Sequence, residues 1–213
     1  MLDPVEEERY YKIKQQCREL GVIPPVDVFI RAEVVDSRNR KIHDEVQRAH
    51  SWTRNFYNDL AANCLGGQGS MSAYAAGNLG CKSNNGAIVQ AQADDYSNRF
   101  DIIGMHIGSS AQEFSINNWY VISILNSLIN VVGFTVITPT YSNKVWTGGF
   151  WQRWNNNTGA TVTVRESTLW TSDSAQNQQR TVERTILNPE AVVINGAQFT
   201  LTYTTTVDMS AID

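Results

Sequence analysis

The sequence predicts a mainly β chain with α additions. The expected body is a jelly-roll-like β-sandwich carrying an N-terminal helix and a hairpin-helix segment. Three observations lead there. Phe199, Leu201, Tyr203, Thr205 and Val207 alternate with Thr200, Thr202, Thr204 and Thr206, which is a strand period with one core face and one threonine face. Turn signals separate several short runs of this kind, as in all-β sandwiches. The character of the chain also changes near residue 65. Residues 1–65 hold 21 of the 38 charged side chains, and the 148 residues that follow are rich in Asn, Ser and Thr. The expected organisation is a helical arm over residues 1–25 and a β body over 26–213, with a helix near 51–65.

The first helix follows from its caps. Asp3 is placed to cap it, Pro4 suits the first helical position, and Glu6 stands three residues after Asp3, as a capping box requires. Glu7 and Glu8 favour the positive end of the helix dipole. Tyr10, Ile13, Cys17 and Leu20 fall on one face, Gly21 is a C-terminal stop, and Pro24-Pro25 forbids continuation. A helix capped at both ends and followed by a stiff diproline suits either packing on its own domain or docking on a neighbour.

Val26, Val28 and Ile30 then alternate with Asp27, Phe29 and Arg31. Asp36-Ser37-Arg38-Asn39-Arg40 reads as a turn into a second strand, Lys41 to Gln47, completing a hairpin with a solvated basic tip. A second helix is expected from Ser51 to Leu65, with Trp52, Phe56, Leu60 and Cys64 spaced by four and Gly66-Gly67 as its end. Gly66 to Gly86 reads as a long surface loop. Ile102, Ile103, Met105 and Ile107 form an apolar strand closed by Gly108-Ser109-Ser110, and Ile116 to Ile137 suits a buried strand pair or a strand and a short helix. Thr161-Val162-Thr163-Val164 is a strand after the turn at Asn157-Thr158-Gly159. Asn195-Gly196, between Val192-Val193-Ile194 and Ala197-Gln198-Phe199, is the strongest hairpin signal in the chain, because a type I′ turn needs positive φ at both positions.

Composition and motifs argue against several functions. A formal net charge of −4 gives no electrostatic case for gripping nucleic acid. The most apolar stretch, Ile122 to Ile137, is broken by Asn126, Ser127 and Asn130 and falls short of the roughly 20 residues of a membrane helix. The acidic N-terminus does not read as a signal peptide. His43, His50 and His106 stand far apart, and Cys17, Cys64 and Cys81 show no metal-ligand spacing, so no metal and no cofactor is expected. Gly66-Gly67-Gln68-Gly69-Ser70 lacks the lysine and helix start of a phosphate loop. Asp94-Asp95, Glu113, Glu166 and Glu183 supply carboxylates without a spacing that marks an acid/base pair, so no catalytic residue is assigned. Asn156-Asn157-Thr158 matches a glycosylation sequon, read as coincidence with a turn.

The aromatic cluster Trp146, Phe150, Trp151 and Trp154, later joined by Trp170, suits a core, a subunit contact or a sugar platform. On a strand over 150–154, Trp151 and Arg153 share one face while Phe150, Gln152 and Trp154 share the other, so large rings point both ways.

Several stretches together resemble structural proteins of tailed-bacteriophage virions. They are His50-Ser51-Trp52-Thr53-Arg54-Asn55-Phe56-Tyr57, Phe100 to Gly108, Phe150-Trp151-Gln152-Arg153-Trp154-Asn155-Asn156-Asn157-Thr158-Gly159, Val162-Thr163-Val164-Arg165-Glu166, the Asn195-Gly196 turn and Leu201-Thr202-Tyr203-Thr204. The resemblance covers roughly half the chain. It implies a non-enzymatic component of the tail, neck or collar, or a fibre adaptor, located in the virion and assembled in the host cytoplasm. Expected partners are further copies of the chain and neighbouring portal, tail, fibre or capsid proteins, with no nucleic acid and no membrane. Tyr10, Ile13 and Leu20 of the arm and Trp146, Trp151 and Trp154 are the expected contact residues. A capsid decoration protein and a carbohydrate-binding host-attachment module are the alternatives.

Overall fold

The computed structural model describes residues 4–22, 26–49, 52–53, 56, 81–82, 88–89, 102–115, 117–118, 120–125, 129–173 and 178–210. Among the described residues the chain is mostly β, with one long helix, two larger antiparallel sheets and a short two-stranded ladder. Helix α1 spans Pro4–Glu19. The strands are β1 (Asp27–Val35), β2 (Lys41–Ala49), β3 (Cys81–Lys82), β4 (Ile88–Val89), β5 (Ile102–Gly108), β6 (Asn130–Ser142), β7 (Val145–Asn155), β8 (Val162–Asp173), β9 (Gln178–Val193) and β10 (Gln198–Asp208). The chain divides into two compact units. The first comprises Met1–His50, Leu128–Thr163 and Ala191–Asp213, and the second Ser51–Ser127 and Val164–Glu190.

The first unit is built on a five-stranded sheet in the order β2-β1-β10-β7-β6. Its neighbours pair antiparallel throughout. The alternation of β1 and β10 makes its core. Val28, Ile30, Ala32 and Val34 are buried on β1 and pair with Thr205, Tyr203, Leu201 and Phe199 on β10. Tyr203, Leu201 and Phe199 in turn face Phe150, Gln152 and Trp154 on β7. Each large apolar side chain buried in this row contributes roughly 1.5–3 kcal/mol. The threonines between them lie on the opposite, half-buried face.

The β1–β2 hairpin forms as expected, with β2 extending to Ala49. Asn39 takes a left-handed φ of 61° and donates to the Asp36 carbonyl, while Asp36 Oδ1 accepts from the backbone amides of Arg38 and Arg40. This is a type I turn closed by one left-handed residue. Asn195-Gly196, in contrast, does not close a paired hairpin. β9 belongs to the three-stranded sheet and β10 to the five-stranded one. Positive φ occurs only at Gly196, and Ala197 donates to the Ile194 carbonyl, which is a type II turn. The type I′ turn is at Asn143-Lys144, with φ of 51° and 63°, where it joins β6 to β7.

Asn156, fully buried, holds the turns around it. Its Nδ2 donates to the carbonyls of Ala160 and Val193 at 2.8 and 2.7 Å, and its Oδ1 accepts from the Thr158 hydroxyl at 2.8 Å. The sequon asparagine is therefore a structural hub with both amide hydrogens engaged.

The second unit contains the three-stranded sheet β5-β8-β9 and the short ladder β3-β4. Met105 and Ile107 supply apolar core, but Glu166, Ser167, Thr168, Glu183 and Arg184 are equally enclosed. The helix expected from Ser51 is only partly within the described residues. Trp52 there forms a β-bridge with Glu183 rather than a helical turn, Phe56 is helical, and their rings stack at 4.1 Å. Leu60 and Cys64 lie outside the described residues. So does the expected loop Gly66–Gly86, apart from Cys81 and Lys82.

Candidate functional site

In the first unit α1 is held to the sheet by charge rather than by its apolar stripe. Arg48 on β2 forms ion pairs with Asp27 and, at 2.7 Å, with Glu7. Its guanidinium lies over the Tyr10 ring, 3.9 Å from the centroid, and over Phe29 at 4.8 Å. Lys14 reaches Asp27 at 2.8 Å, and Arg18 ties the end of α1 to Asp208 at 2.9 Å. Burial pushes the Tyr10 hydroxyl far above its ordinary range, reinforced by its hydrogen bond to the Asp27 carboxylate. Hydrogen bonds from Ser210, followed by Arg18, lower Asp208 to about 2.

This arrangement splits the predicted stripe. Tyr10 and Cys17 are half-buried, while Ile13 and Leu20 are 43% and 75% exposed. The three tryptophans also diverge. Trp154 is fully enclosed by its own chain, with its ring 5.7 Å from Phe199, and so is a core residue that offers nothing to a neighbour. Trp151 is half-buried on the opposite face, where it rests against Gly133 and carries the Arg153 guanidinium 5.0 Å from its centroid. Trp146 is half-buried and lies over Gly148.

Sequence reasoning missed the most exposed apolar element of the unit. β6 forms one edge of the sheet and leaves Val131, Val132, Phe134, Val136 and Tyr141 at the surface, the last two 63% exposed. The reading of Ile116–Ile137 as buried structure therefore fails at its end, because an edge strand is covered on one flank only. Asn130–Ser142 carries no charge over 13 residues, a composition that reads as a buried strand. The opposite edge is different in kind. On β2, Asp44 accepts from Arg31 at 2.6 and 2.7 Å and from Lys41 at 2.9 Å, and these partners, Arg31 first, hold its carboxyl well below the ordinary range. Charged edges of that kind resist pairing with another chain; neutral apolar ones invite it.

The carboxylates considered for acid/base work are placed otherwise in the second unit. Glu166 pairs with Arg184 at 2.7 Å, both wholly buried. The other Glu166 oxygen accepts from the Ser123 amide at 3.0 Å, and Arg184 Nη2 donates to the Gln112 carbonyl at 2.8 Å. This network fastens Gln112 and Ser123 to the sheet. Glu183 is buried and accepts from the Thr185 hydroxyl, and Glu113 is exposed. Asp94-Asp95 lies outside the described residues.

His106 stands opposite Thr168 on β8 and stacks on Trp170 at 5.3 Å, and burial presses its imidazole down to about 4. Among the described residues no three His, Cys, Asp or Glu side chains are grouped to hold a metal ion. No helix among them is long and apolar enough to cross a membrane.

No family model matches this chain, and neither a curated protein nor a solved structure does.

Proposed function

We propose that the chain is a structural component of a tailed-phage virion, a tail, neck or collar ring protein or a fibre adaptor, which acts through subunit contacts rather than by chemistry on a substrate. The observation that supports this most is the uncharged edge strand β6, with its apolar side chains at the surface beside Trp146 and Trp151. Exposed apolar patches on a folded domain mark interaction sites. Ile13 of α1 and Leu20 just after it, both outward, add a second apolar surface. The β-rich body is the one the strand periods predict, and the jelly-roll-like sandwich is the finer form proposed for it. Its partners in this reading are further copies of the chain and adjacent portal, tail, fibre or capsid proteins. The carbohydrate-binding alternative has less support, since Trp154 is enclosed and Trp151 already bears Arg153.

Quantitative mass spectrometry of purified virions tests the reading. The expected result is the chain at a few to about a dozen copies per particle, or a small multiple, as closed rings require. Hundreds of copies would instead indicate a capsid decoration protein. Absence from purified particles would overturn both virion readings.

A further inference from the structure

We propose that β6 of one copy pairs antiparallel with β6 of a second copy, with Thr135 opposite its own counterpart on a twofold axis. The inference rests on the reading above insofar as that reading requires the chain to meet copies of itself.

The geometry of the strand limits where pairing can occur. Its register against β7 is interrupted between Val131 and Gly133 and again between Ile137 and Thr140, and Pro139 falls within the second interruption. Bulges and prolines of this kind are how edges are kept from pairing. Between them lies one regular segment, Gly133-Phe134-Thr135-Val136-Ile137, with an outer flank that no described strand covers.

That segment is complementary to itself. An antiparallel pairing centred on Thr135 sets Phe134 opposite Val136 of the second copy, twice by symmetry. Aromatic and β-branched pairs across strands are favourable. It also sets Gly133 opposite Ile137, so the larger side chain lies beside the smallest. Phe134 and Val136 lie on the face of Phe150, whose ring is 5.9 Å from Phe134 and 5.6 Å from Tyr203. The pairing would continue this aromatic row into the partner. On the other face Ile137 of the second copy would come beside Trp151, which rests on Gly133.

Self-complementarity of Gly133–Ile137 selects a second copy as the occupant, and charge at the strand does not oppose it. Copies that each carry a net charge of −4 repel, and β6 lets them meet without placing like charges opposite one another. Pairing β6 on β2 of the next copy would instead set apolar residues against the Arg31–Asp44–Lys41 network, in a head-to-tail contact that closes into a ring or runs on as a filament.

The test uses the full chain with two substitutions at the axis. Directly opposed residues in an antiparallel pair have Cα atoms about 4.5–5.5 Å apart, within disulfide range. Thr135→Cys should therefore form a covalent dimer under mild oxidation. Val46→Cys, on the β2 edge, should cross-link no more than the parent chain with its native cysteines. Thr135→Lys places two ammonium groups face to face and should weaken self-association about a hundredfold, with the circular dichroism spectrum unchanged. If the parent assembles and Thr135→Lys assembles equally well, or Thr135→Cys cross-links no more than the parent, the β6 pairing is overturned while the structural role stands. A Thr135→Cys/Val46→Cys double variant that alone gives a ladder of covalent oligomers overturns it in favour of head-to-tail pairing. A parent that stays monomeric overturns the pairing together with the reading beneath it.

Discussion

Arg48 lies over the Tyr10 ring, 3.9 Å from its centroid, while its nitrogens pair with Asp27 and Glu7. One β2 side chain thus fixes the helix by stacking and by charge. Arg48→Ala should cost about 3 kcal/mol, because it takes the guanidinium from the buried Asp27 carboxylate and leaves it with the part-exposed Lys14 and the Tyr10 hydroxyl. Arg48→Lys should recover part of this, since it keeps the charge and loses the planar fork. Urea unfolding of the three proteins measures the order. Equal stability of wild type and Arg48→Ala would show that α1 is held by something else.

The Glu166–Arg184 pair makes a sharper prediction, because both partners are wholly buried. Arg184→Met alone strands a carboxylate in the interior and should cost about 3–5 kcal/mol. Adding Glu166→Leu removes that uncompensated charge, so the double variant should be more stable than Arg184→Met by at least about 1 kcal/mol. A double-mutant cycle by chemical denaturation gives the coupling. Simple additivity would mean that the two side chains are not energetically paired.

His106 connects burial to pH. Its pKa falls from 6.5 when unfolded to about 4 when folded, so the unfolded chain binds more protons between those values. Stability is then complete above pH 6.5, falls as the pH drops towards 4, and loses nothing further from this group below that. The loss is on the order of 3 kcal/mol. His43, also lowered by burial, contributes in the same direction. His106→Phe keeps the stack on Trp170 and should remove most of the slope in the urea midpoint across this window, whereas His43→Gln should leave most of it. An unchanged slope in His106→Phe would refute the assignment.

The elements that were legible in the sequence are those with an unambiguous period or cap. The alternation of β10 and β1, the β1–β2 hairpin and the body of α1 follow from local chemistry. What was hidden depends on partners distant in the chain. Asn195-Gly196 carries the local signal of a hairpin, yet both sides of its turn bond to Asn156, with Gly196 donating to its carbonyl and Ala197 accepting from its amide. Asn143-Lys144 carries a weaker signal, and the long β6–β7 ladder holds Lys144 in a conformation that lysine rarely adopts. The α1 stripe was legible as a pattern but not as a docking mode, because Arg48 arrives from 41 residues away from Glu7. The exposure of β6 was hidden because residues 130–137 read alike on a central and on an edge strand, and only the strand order tells them apart.

Sedimentation equilibrium of the purified wild-type chain over a concentration series tests the central claim, that this molecule works by joining copies of itself and its neighbours. The account predicts a mass that is a whole multiple of 23.9 kDa and that persists on dilution into the micromolar range. A mass of 23.9 kDa at every concentration would contradict it.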